Sequence, residues 1–308
     1  MAAVATRPDE VAAGAAARVE SPVRRFVSDF CESRLAVAGL AGFISIAFIA
    51  IAAPLISPQN PYDLNQLDIL DGRLPPGAEA AAGFTYWLGS DDQGRDMLSG
   101  IFYGLRISLG VGVASAVIAL MFGAAMGLVS AYFGGKVDTL IMRVVDIQLS
   151  FPAILVALIL LAVLGQGTGK IIIALVAVQW AYYARTVRGT ALVERRKEYI
   201  EAARCLALSN TRIVFRHLLP NCMPPLIVVG TVQVAHAIAL EATLSFLGIG
   251  LPITEPSLGL LIANGFEYLL SGKYWISFFP GVALLITIVS INLVGDQLRD
   301  VLNPRLQK

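Results

Sequence analysis

Charge is scarce in this sequence. Of its 308 residues, 15% are Asp, Glu, Lys or Arg, against roughly 25% in an average soluble domain. Hydrophobic residues make up 56%, and the mean hydropathy is +0.72. Four runs contain no charged residue: 35–62, 107–135, 147–169 and 274–295. Since about 20 apolar residues cross a bilayer as a helix, these runs exclude an ordinary soluble domain and predict several membrane spans.

Residues suited to metal or catalytic chemistry are also few. The cysteines Cys31, Cys205 and Cys222 show no paired spacing, and the histidines His217 and His236 lie far apart. This pattern predicts no zinc site. The stretch GQGTGK at 165–170 lacks the first glycine and the final Ser or Thr of a phosphate-binding loop. We therefore expect no catalytic residue, metal or cofactor in this chain, and it is not predicted to be an enzyme.

The hydrophobic pattern predicts an all-α polytopic membrane protein with six transmembrane helices. We place them at 35–56, 107–133, 147–164, 171–187, 223–247 and 274–295. The second contains GAAMG at 123–127, a spacing of small residues that allows close helix approach. The sequence leaves open whether this motif packs within the chain or against a second membrane subunit.

The distribution of basic residues predicts the orientation. With both termini cytoplasmic, 18 of the 23 Lys and Arg residues fall on the inner side, as expected for cytoplasmic loops. The predicted parts are a cytoplasmic tail at 1–34, the first span at 35–56, an outer segment at 57–106 and a core of five spans at 107–295. A cytoplasmic loop at 188–222 lies within that core, and a second cytoplasmic tail follows at 296–308.

The cytoplasmic loop carries the stretch EYIEAARCLALSNTRIVFRHLLPN at 198–221. We predict a helix over 194–208, in which Lys197, Glu201 and Arg204 share one face and can pair. The residues at 209–210 should end that helix and cap a second one, and Pro220 should end or kink the second helix. The first helix could seat in a groove of another protein or rest on lipid headgroups.

Part of this loop, EAARCLALSNTRIVFRHLLPN, resembles the EAA loop of bacterial ABC importer permeases. Glu201, Ala202, Ala203, Leu219 and Pro220 occupy positions of that pattern, while Ala207 stands where the family has glycine. Four other stretches are similar to permeases of the dipeptide, oligopeptide and nickel branch: LGSDDQGRDMLSGIFYGLRISL at 88–109, MRVVDIQLSFPAIL at 142–155, LEATLSFLGIGLP at 240–252 and NLVGDQLRDVLNPRL at 292–306. The sequence is therefore identified as a member of that family, resembling its second (C-type) permease subunit.

The resemblance implies one membrane subunit of an ATP-driven importer in the bacterial inner membrane. Its expected partners are a second, homologous permease, two ABC ATPases that carry ATP and Mg, a periplasmic or lipid-anchored solute-binding protein and the lipid bilayer, with no nucleic acid. Di- or oligopeptides are the expected solutes, with nickel, glutathione or another small solute as the alternative. A stand-alone secondary transporter is a rival of a different class, which would show several buried ionisable residues.

The resemblance implies that Glu201, Ala202, Ala203, Ala207, Leu219 and Pro220 serve ATPase coupling. We expect the three alanines to form a close-packed contact surface. We favour close approach rather than a left-handed backbone as the reason for the family glycine at position 207, in which case alanine is a mild replacement.

Two further groups of residues stand out by their charge alone. Glu241 is the one acidic residue within a predicted span. It could face the substrate pathway, sit near the outer interface or hold a partner helix. Asp91, Asp92, Arg95 and Asp96 precede the second span in the outer segment. We expect these four to fix the loop by mutual pairing.

Overall fold

The computed structural model describes residues 21–302 and shows a helical membrane protein. The predicted tails therefore lie partly outside the described residues, at 1–20 and 303–308. The helices are α1 (Pro22–Cys31), α2 (Arg34–Ile56), α3 (Met97–Phe133), α4 (Gly135–Ser150), α5 (Ala153–Leu164), α6 (Thr168–Glu194), α7 (Glu198–Cys205), α8 (Asn210–Arg212), α9 (Leu219–Phe246), α10 (Leu258–Phe266) and α11 (Trp275–Val301). A short antiparallel pair of strands, β1 (Ala78–Glu79) and β2 (Thr85–Tyr86), lies in the outer segment.

The all-α fold is as predicted, while the number of spans differs in detail. Within 21–302, four helical stretches are long and apolar enough to cross a membrane: Arg34–Ile56, Met97–Phe133, Asn210–Phe246 and Trp275–Val301. A fifth is possible if α4 and α5 together form one span. The predicted fourth span lies within α6, a helix of 27 residues.

The predicted third span is bent rather than continuous. Helices α4 and α5 meet at an angle of 94°. Phe151, between them, has an extended backbone with φ −96° and ψ 142°. The cause is Pro152, because proline lacks the amide hydrogen that a helix needs and disfavours helical geometry in the residue before it.

Two other boundaries also differ from the prediction. Helix α3 begins at Met97, ten residues before the predicted span, because the carboxylate of Asp96 caps it and accepts from the Ser99 amide at 2.8 Å. Part of the predicted tail at 1–34 is the helix α1. Its Phe30 packs with Ala36 and Val301, so α1 lies against α2 and α11.

The core is centred on α3, α6 and α9. The small-residue motif of α3 packs within the chain: a methyl group added to Gly123 would lie 2.3 Å from the carbonyl oxygen of Trp180, and one added to Gly127 would lie 2.5 Å from that of Ala184. Both oxygens belong to α6, so glycine lets the two backbones touch. This rigid pair of helices positions the loop that follows α6.

Candidate functional site

The coupling segment, residues 195–218, joins α6 to α9 and contains α7 and α8. Glu194, the last residue of α6, fixes its start. The Glu194 carboxylate accepts from Lys197 Nζ at 2.6 Å and from the Tyr199 hydroxyl at 2.8 Å. Burial, followed by the hydrogen bond to Glu194, raises the pKa of Tyr199 to about 12, so its hydroxyl stays a donor. The predicted pairing of Lys197 with Glu201 is wrong, because Lys197 forms its ion pair with Glu194 instead.

A small buried cluster attaches α7 to the end of α3. Ile200, Ala203 and Ile213 are buried together, with Tyr132 and Leu208 packed against them. Polar contacts reinforce this attachment, since the Arg195 guanidinium donates to the carbonyl of Ala131 and the Tyr132 hydroxyl donates to Asn210. Ala203 was predicted to lie on an outward contact surface. That prediction is wrong, because Ala203 is 4% exposed and packs inside the chain.

The end of α7 is a Schellman motif, a capping arrangement that needs a left-handed residue. The amide of Leu208 donates to the carbonyl of Ala203 at 3.2 Å, and the amide of Ala207 donates to that of Arg204 at 2.9 Å. Ala207 has φ 51°, in the left-handed region. The expectation that position 207 needs only a small side chain is therefore wrong. The backbone at this position requires a positive φ, which glycine adopts readily and which is unfavourable for alanine.

The second half of the coupling segment begins with the predicted cap, but its helical stretch does not end at Pro220. Ser209 caps the next helical turn, and its hydroxyl accepts from the Arg212 amide at 3.4 Å. A π-helical turn, Ile213–Leu218, then leads into α9. Leu219 and Pro220 begin α9 directly after this π-helical turn, so the helix continues through the proline. These two residues therefore position the segment.

The outward face of the coupling segment carries charged, small and apolar side chains. Glu201, Ala202 and Arg204 are exposed. Within 21–302, the Glu201 carboxylate forms no ion pair or hydrogen bond. Leu206 and Phe215 are 73% and 60% exposed. We had not singled out these two residues, although large apolar side chains within a polar segment are a signal of a contact surface.

Glu241 lies inside the chain, although it is an acidic residue of a membrane-crossing helix. Its side chain is 0% exposed. One carboxylate oxygen accepts from the Ser108 hydroxyl at 2.8 Å and the other accepts from the Ser245 hydroxyl at 2.8 Å. Of the alternatives that the sequence leaves open, these contacts support a structural one: Glu241 joins α9 to α3 through its hydrogen bond from Ser108.

Asp91, Arg95 and Asp96 fix the loop before α3, but not by pairing with one another, while Asp92 Oδ1 is buried without a hydrogen-bond partner among the described residues. None of the ion pairs in the described chain involves Asp91, Asp92, Arg95 or Asp96. Instead, Asp91 accepts from the amides of Gln93 and Arg95, both at 2.8 Å. Asp96 caps α3, and Arg95 Nη1 reaches the carbonyl of Ile253 at 3.4 Å. Burial raises the pKa of Asp91 to about 6.

Two adjoining cavities follow α9 from the end nearest the coupling segment toward the middle of the helix. The larger, about 760 Å³, lies between α6, α9 and α11, and the smaller, about 380 Å³, lies between α5, α6 and α9. Tyr182, Gln233 and His236 line both cavities. We call this continuous feature the α9 groove. Among residues 21–302, no group of three or more His, Cys, Asp or Glu is placed to hold a metal.

Comparison with known proteins gives two family matches. Residues 119–308 match the family described as the inner membrane component of binding-protein-dependent transport systems. Residues 21–76 match the N-terminal transmembrane domain of oligopeptide transport permease C. Together they cover the coupling segment, the α9 groove and α2.

Individual relatives match over most of the chain. The dipeptide transport system permease protein DppC of Haemophilus influenzae is 35% identical over 289 residues, covering 94% of this chain and 97% of the relative. DppC of Alkalihalophilus pseudofirmus is 36% identical over 287 residues, covering 93% and 91%. The oligopeptide transport system permease protein OppC of Bacillus subtilis is 37% identical over 279 residues, covering 91% and 88%.

A solved structure supports the fold. An inward-facing crystal form of the MetNI methionine ABC transporter aligns with a TM-score of 0.55 and 21% identity, over 67% of this chain and 98% of that chain. The helices of this chain are therefore arranged as in an ABC importer permease. This chain belongs to the binding-protein-dependent ABC importer permeases, as a multi-pass inner membrane subunit related to the C-type permeases for peptides.

Proposed function

We propose that this chain forms half of the translocation pathway of an importer for di- or oligopeptides, paired with a second, homologous permease. The names of the relatives support peptides as the solute. A solute-binding protein would deliver the cargo to the outer segment at 57–106. Both termini would be cytoplasmic, in keeping with the concentration of basic residues in the tails and the coupling segment.

The coupling segment would dock in a cleft of one of two cytoplasmic ATPases, which hold ATP and Mg. Glu201 supports this role, since it is exposed and has no partner within the described chain. An unpaired charge in the same segment as exposed Leu206 and Phe215 suits a protein surface that combines a polar rim with apolar anchors. The buried contacts of Ile200 and Ala203 would keep this surface rigid.

The observation that carries the proposal is the direct continuation of the coupling segment into α9. The π-helical turn Ile213–Leu218 leads into α9, which lines the groove at Gln233 and His236. The helical stretch from Asn210 runs directly into α9, and the capped turn at 206–209 connects it to α7. Movement of α7 by the ATPases would therefore be passed through this turn to a pathway-lining helix. Pro224 and Pro225 lie within α9 and remove intrahelical hydrogen bonds, so the helix can bend between its two ends.

Uptake by intact cells tests this function. A strain without this chain should lose uptake of a labelled dipeptide and tripeptide, and the gene in trans should restore it. Nickel and glutathione uptake, measured in the same strains, test the alternative cargo. Peptide uptake that is the same with and without the chain would contradict the proposal. Loss of nickel or glutathione uptake instead would assign the chain to another solute.

A further inference from the structure

The α9 groove contains polar side chains that have no hydrogen-bond partner within the chain. Gln179 of α6 donates from Nε2 to the carbonyl of Gln233 at 3.3 Å, but its Oε1 is unpartnered among the described residues. Gln179 is 97% buried and lines the smaller cavity. Neither the Gln233 side-chain amide nor the His236 imidazole forms a hydrogen bond to a residue of 21–302. Three polar side chains thus line the same cavity, and each retains hydrogen-bonding capacity that no described residue uses.

Helix geometry explains why these groups converge. Gln233 and His236 are three residues apart on α9, and Gln179 and Tyr182 are three apart on α6, so each pair shares one helix face. The Gln179–Gln233 hydrogen bond shows that the two faces meet. At 1.5 Å per residue, His236 lies about 15 Å from the end of α9 at Phe246. Gln233 and His236 therefore lie well inside a membrane-crossing helix.

Lipid is a poor environment for such groups. Hydrocarbon offers an amide no hydrogen-bond partner, so leaving one unpaired there is strongly unfavourable. His236 is exposed in the single chain, so it must meet water, solute or protein in the assembled transporter. The surrounding wall of Ala153, Ile154 and Val178 offers it no partner.

We propose that Gln179, Gln233 and His236 form a solute-contact strip that recognises neutral hydrogen-bonding groups, namely the backbone amides of a passing peptide. This inference rests on the proposed function. Carboxamides and an imidazole both donate and accept, as peptide groups do. No Asp, Glu, Lys or Arg lines the smaller cavity, so the strip would not select by charge. Such a contact would accept peptides of different side chains, since every peptide carries the same backbone.

The groove changes character toward the end nearest the coupling segment. There it is lined by Asp296 and Arg299 of α11, both exposed, and by Asn221 of α9. Water can reach charged side chains at this end, so a peptide leaving the strip would be solvated there. The strip would therefore make the last specific contacts before release into the cytoplasm.

The test uses the complete transporter in proteoliposomes, with saturating binding protein loaded with labelled trialanine. Uptake per ATP hydrolysed is measured for Gln179→Leu, Gln233→Leu, His236→Leu and His236→Gln. Losing a hydrogen bond to the solute should lower uptake about threefold to tenfold in the leucine variants, while His236→Gln should stay within about twofold. The matched control is Thr287→Val in α11. Its hydroxyl donates to Ala283 of its own helix at 2.7 Å and does not line the groove, so uptake should be unchanged.

A second substrate separates backbone recognition from other effects. Trialanine with N-methylated peptide bonds cannot donate from those nitrogens, so its uptake should differ less between wild type and the leucine variants. Equal uptake of trialanine by all variants would overturn the proposal. Loss of the second permease from purified His236→Leu would also overturn it, because the strip would then be a subunit contact. His236 is exposed in the chain, so its substitution should not unfold the subunit itself. Failure of the wild-type transporter to move any peptide would instead refute the proposed function.

Discussion

Ala207→Gly should stabilise the C-terminal end of α7. Ala207 holds the left-handed position of the Schellman motif, with φ 51°. A left-handed conformation costs a non-glycine residue about 1–2 kcal/mol. Glycine avoids that cost but loses about 0.4–1 kcal/mol through the greater freedom of its unfolded state. The net gain is about 0.5–1 kcal/mol, a factor of about two to five in the closing equilibrium of the motif.

Hydrogen exchange of the purified transporter measures this equilibrium locally. The amides of Ala207 and Leu208 close the motif, so their exchange should slow by about twofold to fivefold in Ala207→Gly. The matched control is Ala202→Gly, the same substitution at an exposed position inside α7. There glycine costs about 0.5–1 kcal/mol, and exchange should become faster. Equal effects of the same sign at both positions would refute the argument from backbone conformation.

Three other perturbations test individual interactions. Glu241→Ala should reduce the yield of folded subunit, because it leaves the hydroxyls of Ser108 and Ser245 buried without an acceptor. Glu241→Gln should preserve both the yield and the uptake. A loss of uptake in a well-folded Glu241→Gln transporter would instead indicate a pathway role. The folded state binds a proton at Asp91 more tightly than the unfolded state does, since burial raises this pKa to about 6. The stabilisation from this tighter proton binding is therefore fully present at low pH and is lost as the pH rises through about 6. Asp91→Asn should raise the unfolding temperature at pH 7.5 and change it less at pH 4.5, and an equal change at both would contradict this. Ser209→Ala should loosen the turn that follows α7 by about 1 kcal/mol, seen as faster amide exchange there and absent if the cap contributes nothing.

Local signals in the sequence predicted a large part of the fold. Charge-free runs located α2 and α11 closely, and a serine before a polar turn predicted the cap at Ser209. The bend at Pro152 and the early start of α3 at Asp96 were missed, although both have local causes. The predicted spans were placed from the lengths of the apolar runs, which do not show a helix cap or a bend at proline.

Other features depend on three-dimensional packing and could not be predicted from helix periodicity. Glu241 and His236 are both polar residues of α9, yet one is fully buried among serines and the other is exposed on the groove. Which face of α9 meets α3 decides this difference. Lys197 likewise pairs with Glu194 across the junction between two helices rather than along one helix. The left-handed backbone at Ala207 follows from the motif that encloses it, and alanine itself gives no sign of it.

The most direct test of the coupling account is co-purification of the tagged chain from its native membrane, comparing wild type with Glu201→Arg. The control is Glu267→Arg, which makes the same charge change at an exposed position between α10 and α11, far along the chain from the coupling segment. We predict that wild type and Glu267→Arg retain two ATPases and a second permease. Glu201→Arg should retain the permease and lose ATPase. Full ATPase recovery in Glu201→Arg would contradict the role assigned to the exposed face of α7, and a wild-type chain that purifies alone would contradict the importer assembly itself.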